Sequence, residues 1–270
     1  MIVDTKDQIE ELTFGGYTIR QQYEVTLDGL KTRAAGVRPS DKFNYNEGVW
    51  EKASYPGYAV VSMVQNNPGN SSLLSILKDI QRGLREALEA PDKCYLLPSE
   101  SFHQTVANTL SADRFEKHVM KVGMEPEYPE IISAAFDQID LNNEDEPIKM
   151  SMIGLSIFRS AIGILGTFQK ALDFQRIIDF RNAFYSNQDL NKLDIRRTRP
   201  FIGHITLAYL DGNLTTDFRN LLTGVCQEIN QGLSSESLLF NISNTELRKY
   251  DDLSHFQTLP HFPKYSFVNQ

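Results

Sequence analysis

From position 58 the chain alternates between two kinds of hydrophobic spacing. YAVVSMV (Tyr58 to Val64) is a continuous β-rich run closed by NNPGN, which reads as a strand and a turn. Leu73, Leu74, Ile76, Leu77, Ile80, Leu84 and Leu88 then recur at three- and four-residue intervals. That stripe predicts an amphipathic helix over about 72–90, capped by Ser71 or Ser72 and stopped by Pro91. KCYLLP and SFHQTVAN read as extended, and 127–139 reads as a helix with Ile131, Ile132, Ala135 and Phe136 on one face. After the acidic loop LNNEDEP, 149–156 and 159–165 read as a hairpin around Phe158, and 171–185 as a further helix. PFIGHITLAYL (200–210) is a β-branched and aromatic strand, 216–232 a helix, and the tail is β-rich. Residues 1–55 lack a clear period and carry Gly15-Gly16, Gly36 and Gly48. They read as an N-terminal extension of short strands or loops packed on a main body spanning 56–270.

Strands and helices mix on both sides of the middle, which implies an α+β or α/β protein with two similar lobes. A chain of 270 residues buries a sizeable core, and 41% hydrophobic with 23% charged residues is ordinary for a globular protein. The 27 Lys and Arg against 35 Asp and Glu leave a net charge of −8. Such a chain is not a non-specific nucleic-acid coat, since phosphate backbones are held by clustered cations. A small nucleotide or a short RNA end needs only a few local ones. Cys94 and Cys226 sit in apolar surroundings and read as small buried hydrophobes. MIVDTKDQIEE lacks the features of a signal peptide, and the most apolar stretch, Met150 to Phe168, is interrupted by Ser151, Ser156, Arg159 and Ser160. The expectation is a cytoplasmic, reduced, soluble monomer with no membrane partner. The N-x-S/T triplets at Asn70, Asn213 and Asn241 carry no meaning without secretion.

The candidate chemistry lies on two strands. Phe102-His103-Gln104-Thr105-Val106 and Gly203-His204-Ile205-Thr206-Leu207 each carry His-x-Thr, with the histidines 101 residues apart. Alternation puts His103 beside Thr105 and His204 beside Thr206, with Phe102, Val106, Ile205 and Leu207 turned to a core. A polar stripe on an otherwise apolar strand needs partners or water, because a buried unpaired imidazole or hydroxyl is costly. Phosphodiester cleavage needs a base for the nucleophile, an acid for the leaving oxygen and donors for the non-bridging oxygens. Two histidines and two threonines supply these. The alternative is that both histidines are satisfied structural residues.

FHQTVAN and FIGHITLAYL resemble the two signature strands of the 2H phosphoesterase superfamily, which includes RNA 2′,3′-cyclic phosphodiesterases and the so-called 2′-5′ RNA ligases. The resemblance spans about 58–265 in element order and is specific at the two motifs. It implies a bilobal α+β fold of two antiparallel-sheet lobes with flanking helices and a central cleft. It also implies metal-independent hydrolysis of a cyclic or 2′-5′-linked nucleotide or RNA end, with no cofactor. His103, Thr105, His204 and Thr206 match the family's catalytic positions. The resemblance gives His204 as base and His103 as acid. Alternatives are ligation or reversal at an RNA end, and nucleotide or RNA-end binding without turnover. Bacterial ligase-like members often place an arginine three residues after the second threonine. Here Tyr209 stands there, and it faces His204 only if a bulge redirects it. That departure points to a divergent branch.

Arg196, Arg197 and Arg199 precede the second motif; Arg199, and less so Arg197, are candidates for binding substrate phosphate, the alternative being a solvated loop. Tyr250 is a candidate for stacking on a base beside the cleft. His118 reads as surface, and His255 with His261 lacks a third ligand for a metal. Trp50, Tyr55 and Tyr58 read as anchors of the extension or as part of a lid. No Walker loop, GxSxG elbow or dinucleotide fingerprint is present.

Overall fold

The computed structural model describes residues 10–38, 40–141, 143–211, 213–233 and 238–269. The extension departs from the expectation of strands and loops. It forms helices α1 (Phe14–Glu24) and α2 (Leu27–Ala35), then a hairpin of β1 (Phe43–Asn46) and β2 (Val49–Lys52). Thr13 and Thr26 cap the helices through their side chains, accepting from Gly16 N and Gly29 N. The inward face of α1 is Tyr17, Gln21 and Glu24, so two of its three buried residues are polar and no hydrophobic period marks it. Gly29 lets the two helices meet, since a Cβ there would lie 2.2 Å from Tyr23 O.

The main body follows the hydrophobic spacing closely. Its elements are β3 (Gly57–Met63), α3 (Ser71–Leu88), β4 (Cys94–Leu96), β5 (His103–Ser111), α4 (Ala112–Phe115) with a π-helical turn over Glu116–Met120, and α5 (Tyr128–Asp137). Next come the hairpin β6 (Ile148–Phe158) and β7 (Ala161–Phe168), then α6 (Ala171–Ser186), α7 (Gln188–Lys192), β8 (His204–Leu210) and α8 (Thr216–Gly232). The tail is β9 (Leu239–Ile242), β10 (Asn244–Tyr250) and β11 (Lys264–Ser266). α3 buries Leu73, Leu77, Ile80, Leu84 and Leu88, the stripe read from spacing. It begins at Asn70 without a side-chain cap and ends in a left-handed Glu89, ahead of the proline expected to stop it.

The result is a mixed α+β fold with several antiparallel sheets. A four-stranded sheet runs β11-β10-β3-β5, and a five-stranded sheet runs β4-β8-β7-β6-β9. Sheet membership does not follow chain halves. β4 precedes β5 in sequence yet pairs with β8, and β10 returns from the C-terminal region to sit between β3 and β11. α1, α2 and α8 pack on the hairpin β6–β7, α8 also packs on α3, and α6 touches β5, β6 and β7. A large core runs continuously through these layers, including Phe102, Val106, Ile164, Phe180, Ile205 and Leu207. No helix among the described residues is long and apolar enough to cross a membrane.

Candidate active site

The two His-x-Thr segments begin β5 and β8, one in each large sheet, and the two strands approach within 8 Å between Cα atoms. On β5, His103, Thr105 and Asn108 are half-buried while Gln104, Val106 and Ala107 are buried; on β8, His204, Thr206 and Tyr209 are half-buried while Ile205, Leu207 and Ala208 are buried. The steps from Thr105 to Asn108 and from Thr206 to Tyr209 are three residues, which strict alternation forbids. Each strand solves this with a bulge. Thr105 pairs with Val61 but Ala107 with Val60, and Thr206 pairs with Gly163 but Ala208 with Ile162. The extra residues are Val106 and Leu207, again 101 apart. Tyr209 is therefore redirected to the histidine face, and Asn108 is its counterpart on β5.

The imidazoles are anchored alike. His103 Nδ1 lies 2.6 Å from Ser101 O, and His204 Nδ1 lies 2.9 Å from Ile202 O. A carbonyl can only accept, so each Nδ1 carries the proton and each Nε2 presents a lone pair. An aromatic ring packs on each: Phe256 on His103 at 4.2 Å and Phe158 on His204 at 4.9 Å between centroids. Phe158 reaches across because Gly163 has no side chain; a Cβ there would be 2.9 Å from the Phe158 ring. Burial pushes both imidazoles down to about 4 despite the backbone bonds that favour their protonated forms. His103 is lowered further by the charges of His204 and Arg248, and His204 by Arg199, with Glu24 opposing. The two rings thus lie close enough for charge on His204 to bear on His103. Among the described residues the hydroxyls of Thr105 and Thr206 bond to no other group, leaving both able to donate.

Sequence reasoning passed over the residues that hold this pair. Gln104 is fully buried between the strands; its Oε1 accepts from His204 N at 2.6 Å, and its Nε2 donates to Ile202 O and Thr105 O at 3.1 and 2.7 Å. Arg181 on α6, 2% exposed, donates to Val106 O in the β5 bulge, to Arg199 O and to Glu11 Oε1. The extension supplies the rest. Glu11 Oε2 accepts from Phe201 N, Tyr17 Oη accepts from Gly203 N, and Gln21 Nε2 donates to Gly203 O. The approach to His204 is thus held mainly by side chains, beside one backbone bond from Gly166 N to Gly203 O. A polar residue at the core-facing position between His103 and Thr105 was the one available sign of Gln104.

The other candidates separate. Arg199 is exposed and donates to Asn108 Oδ1 at 2.7 Å, and no carboxylate lies within 4.0 Å among the described residues. Its charge therefore stands unneutralised beside both motif strands. Arg197 goes elsewhere: its guanidinium is held by Asn182 Oδ1, by Glu11 at 3.6 Å and over the Tyr185 ring, and the structure does not bring it to the imidazoles. Tyr250 shares the β10–β3–β5 face with Asn108 and Thr105, and packs on Phe256 and Tyr55. Burial raises the hydroxyls of Tyr209 and Tyr250 above the usual range. Trp50 and Phe43 pack on Tyr95, fixing the hairpin. His118 stands on the π-helical turn 4.0 Å from Asp194, and His255 and His261 are exposed in the loop after β10. Burial pushes the free thiols of Cys94 and Cys226 up to about 12. Among the described residues no group of three His, Cys, Asp or Glu side chains is arranged to hold a metal ion.

No protein-family model and no curated protein matches this chain. Among solved structures it is similar to a conserved protein of unknown function from Agrobacterium tumefaciens, with a TM-score of 0.57 and 14% identity over 91% of this chain and 97% of that one. It is also similar to a protein of Thermus thermophilus, with a TM-score of 0.45 and 12% identity over 78% of this chain and 97% of that one. The Agrobacterium likeness shows a shared fold.

Proposed function

We propose that this protein hydrolyses a phosphodiester in a cyclic or 2′-5′-linked nucleotide or RNA end, with His103 and His204 as an acid/base pair in a bilobal 2H-type fold. One observation carries the reading. The two half-sites match residue for residue, in Nδ1 anchor, threonine, bulge and aromatic backing, which two unrelated structural histidines have no reason to do. In the reaction, His204 Nε2 takes a proton from water as its oxygen attacks phosphorus. His103 Nε2–H gives a proton to the departing ribose oxygen, and the product is a phosphomonoester. Thr105 and Thr206 donate to the non-bridging oxygens, and Arg199 offsets their charge. The acid must first acquire its proton, because both Nε2 atoms are bare when the site is empty. An anionic phosphodiester between the rings favours that uptake, so substrate charges its own catalyst. Acid, base and donors are all side chains of this chain, so the scheme calls on no metal.

The test is turnover of 2′,3′-cyclic nucleotides and 2′-5′-linked oligoadenylate in the presence of EDTA, repeated with His103→Ala and His204→Ala. Cleavage lost by about 10²–10⁴-fold in each variant is the expected result. Cleavage that survives either change, or tight binding without any turnover, overturns the reading.

A further inference from the structure

Two glutamines bridge onto β8 with the same chemistry but at different places. Gln81 on α3 donates to Leu97 O and Leu207 O, beyond the threonine. Gln104 binds on either side of His204: its Oε1 accepts a hydrogen bond from His204 N–H, and its Nε2 donates to Ile202 O, the same carbonyl that anchors the His204 ring. Only this orientation of the amide satisfies all three contacts, since two partners are acceptors and one is a donor. Gln104 also follows His103 directly in the chain. One side chain therefore connects the backbone of one histidine to the backbone and the ring anchor of the other. At 0% exposure it has no water to replace a lost partner. Ile205, the residue 101 positions later, is apolar, so the bridge is made from one half only.

We propose that Gln104 is a positioning residue that sets the spacing of the two imidazoles and fixes the His204 ring. This rests on the reading of the pair as acid and base. Ile202 O is held in place by the Gln104 amide while it accepts from His204 Nδ1–H, so the ring tautomer and the direction of Nε2 depend on that amide. Without it the β5–β8 junction keeps its hydrophobic packing through Val106 and Leu207 but loses its polar register. The rings then sample several separations, and proton transfer through a phosphodiester requires one.

The experiment compares Gln104→Met, of equal length and without hydrogen bonds, with Gln81→Met as a control of the same kind at a distance from the rings. Urea unfolding, ¹⁵N NMR of the imidazole nitrogens, and kcat and KM on 2′,3′-cyclic AMP are measured for each. For Gln104→Met the expected result is a mixed His204 tautomer, with His103 still protonated on Nδ1. The expected kcat is about 10–100-fold lower, with KM within about twofold. For Gln81→Met stability falls but the His204 tautomer and kcat stay at wild-type values. Should Gln104→Met fail to fold, Gln104→Glu serves. It keeps the acceptor for His204 N but turns a carboxylate toward Ile202 O and Thr105 O, so the same tautomer change is expected. A single Nδ1–H tautomer retained in the Gln104 variants, or an equal change in Gln81→Met, overturns the proposal. If wild-type protein cleaves no ester in the panel, the hydrolase reading fails, and the NMR comparison still decides whether Gln104 fixes His204.

Discussion

The two depressed histidines should make this protein acid-labile by an amount that can be isolated. Each imidazole falls from 6.5 in an unfolded chain to about 4 in the folded one, with burial the largest cause. Between those values the unfolded chain binds more protons than the folded protein, so stability is complete above about pH 7 and is lost as pH falls from 6.5 to 4. Lowering the pH from 7 to 4.5 removes ~2.4 kcal/mol per imidazole by linkage; halving that for the partial access of the rings to water leaves ~1 kcal/mol each, or ~2–3 kcal/mol for the pair. Carboxylates titrate over the same range, so the comparison is with the double variant His103→Asn, His204→Asn, which shares all of them. Urea unfolding at pH 7, 5.5 and 4.5, followed by far-UV circular dichroism and by the fluorescence of the single tryptophan, Trp50, reports both proteins. The wild type is expected to lose ~2–3 kcal/mol more than the variant across that interval. Parallel pH curves, or imidazoles that titrate near 6.5 by NMR, refute the burial argument.

The pH profile of kcat/KM reports the empty site, where one proton must be added to a pair titrating near 4. It should therefore fall about tenfold per pH unit across neutrality, while the kcat profile, which reports the substrate-bound site, should lie at higher pH; a flat kcat/KM between pH 5 and 8 refutes this. Arg199→Ala is expected to raise KM for a phosphodiester by about 10-fold through loss of one charge-assisted contact, with an effect that shrinks in high salt, whereas Arg197→Ala should leave KM unchanged and lower stability instead. Tyr17→Phe leaves the buried Gly203 N without its acceptor, while Gly166 O keeps its bond from Gln21 Nε2, and the change is expected to cost ~1–3 kcal/mol in urea unfolding.

What the sequence made legible follows from which residues bury apolar atoms. α3, β3, α8 and the β6–β7 hairpin announce themselves because their inward faces are Leu, Ile, Val and Met at regular intervals. α1 does not, because its inward face is Tyr17, Gln21 and Glu24, of which only Tyr17 joins the core while Gln21 binds backbone carbonyls and Glu24 pairs with Arg20 and Arg33. The His-x-Thr pair was visible as a polar stripe on two apolar strands. The bulges were not, because an inserted residue such as Val106 or Leu207 is as apolar as its neighbours and leaves the composition unchanged. Tyr209 shows the cost of that blindness: alternation turns it away from His204, and the register shift at Leu207 turns it back. Arg197 and Arg199 are equivalent as letters in a loop, and only the position of Glu11, about 190 residues earlier, decides that the first is neutralised.

The exchange of strands between the sheets also orders events in time. As the chain is synthesised, β3 and β5 are complete by residue 111, so the first His-x-Thr exists early and with its immediate partner strand in place. Its other walls are made last. β10, with Arg248 and Tyr250, and the loop carrying Phe256 follow everything else of the site, including the second motif. Until then β3 has one open edge and His103 one uncovered ring face. A nascent chain halted between residues 206 and 256 therefore carries both histidines and both threonines, but His103 lacks the Phe256 ring that covers it. In such a chain the His103 imidazole is the more open to water, whereas the partners of His204 (Phe158, Ile202 and Arg199) are already present. The burial of His103 is a late product of synthesis, and its chemical shifts in stalled chains of increasing length would record when β10 and the Phe256 loop close over it.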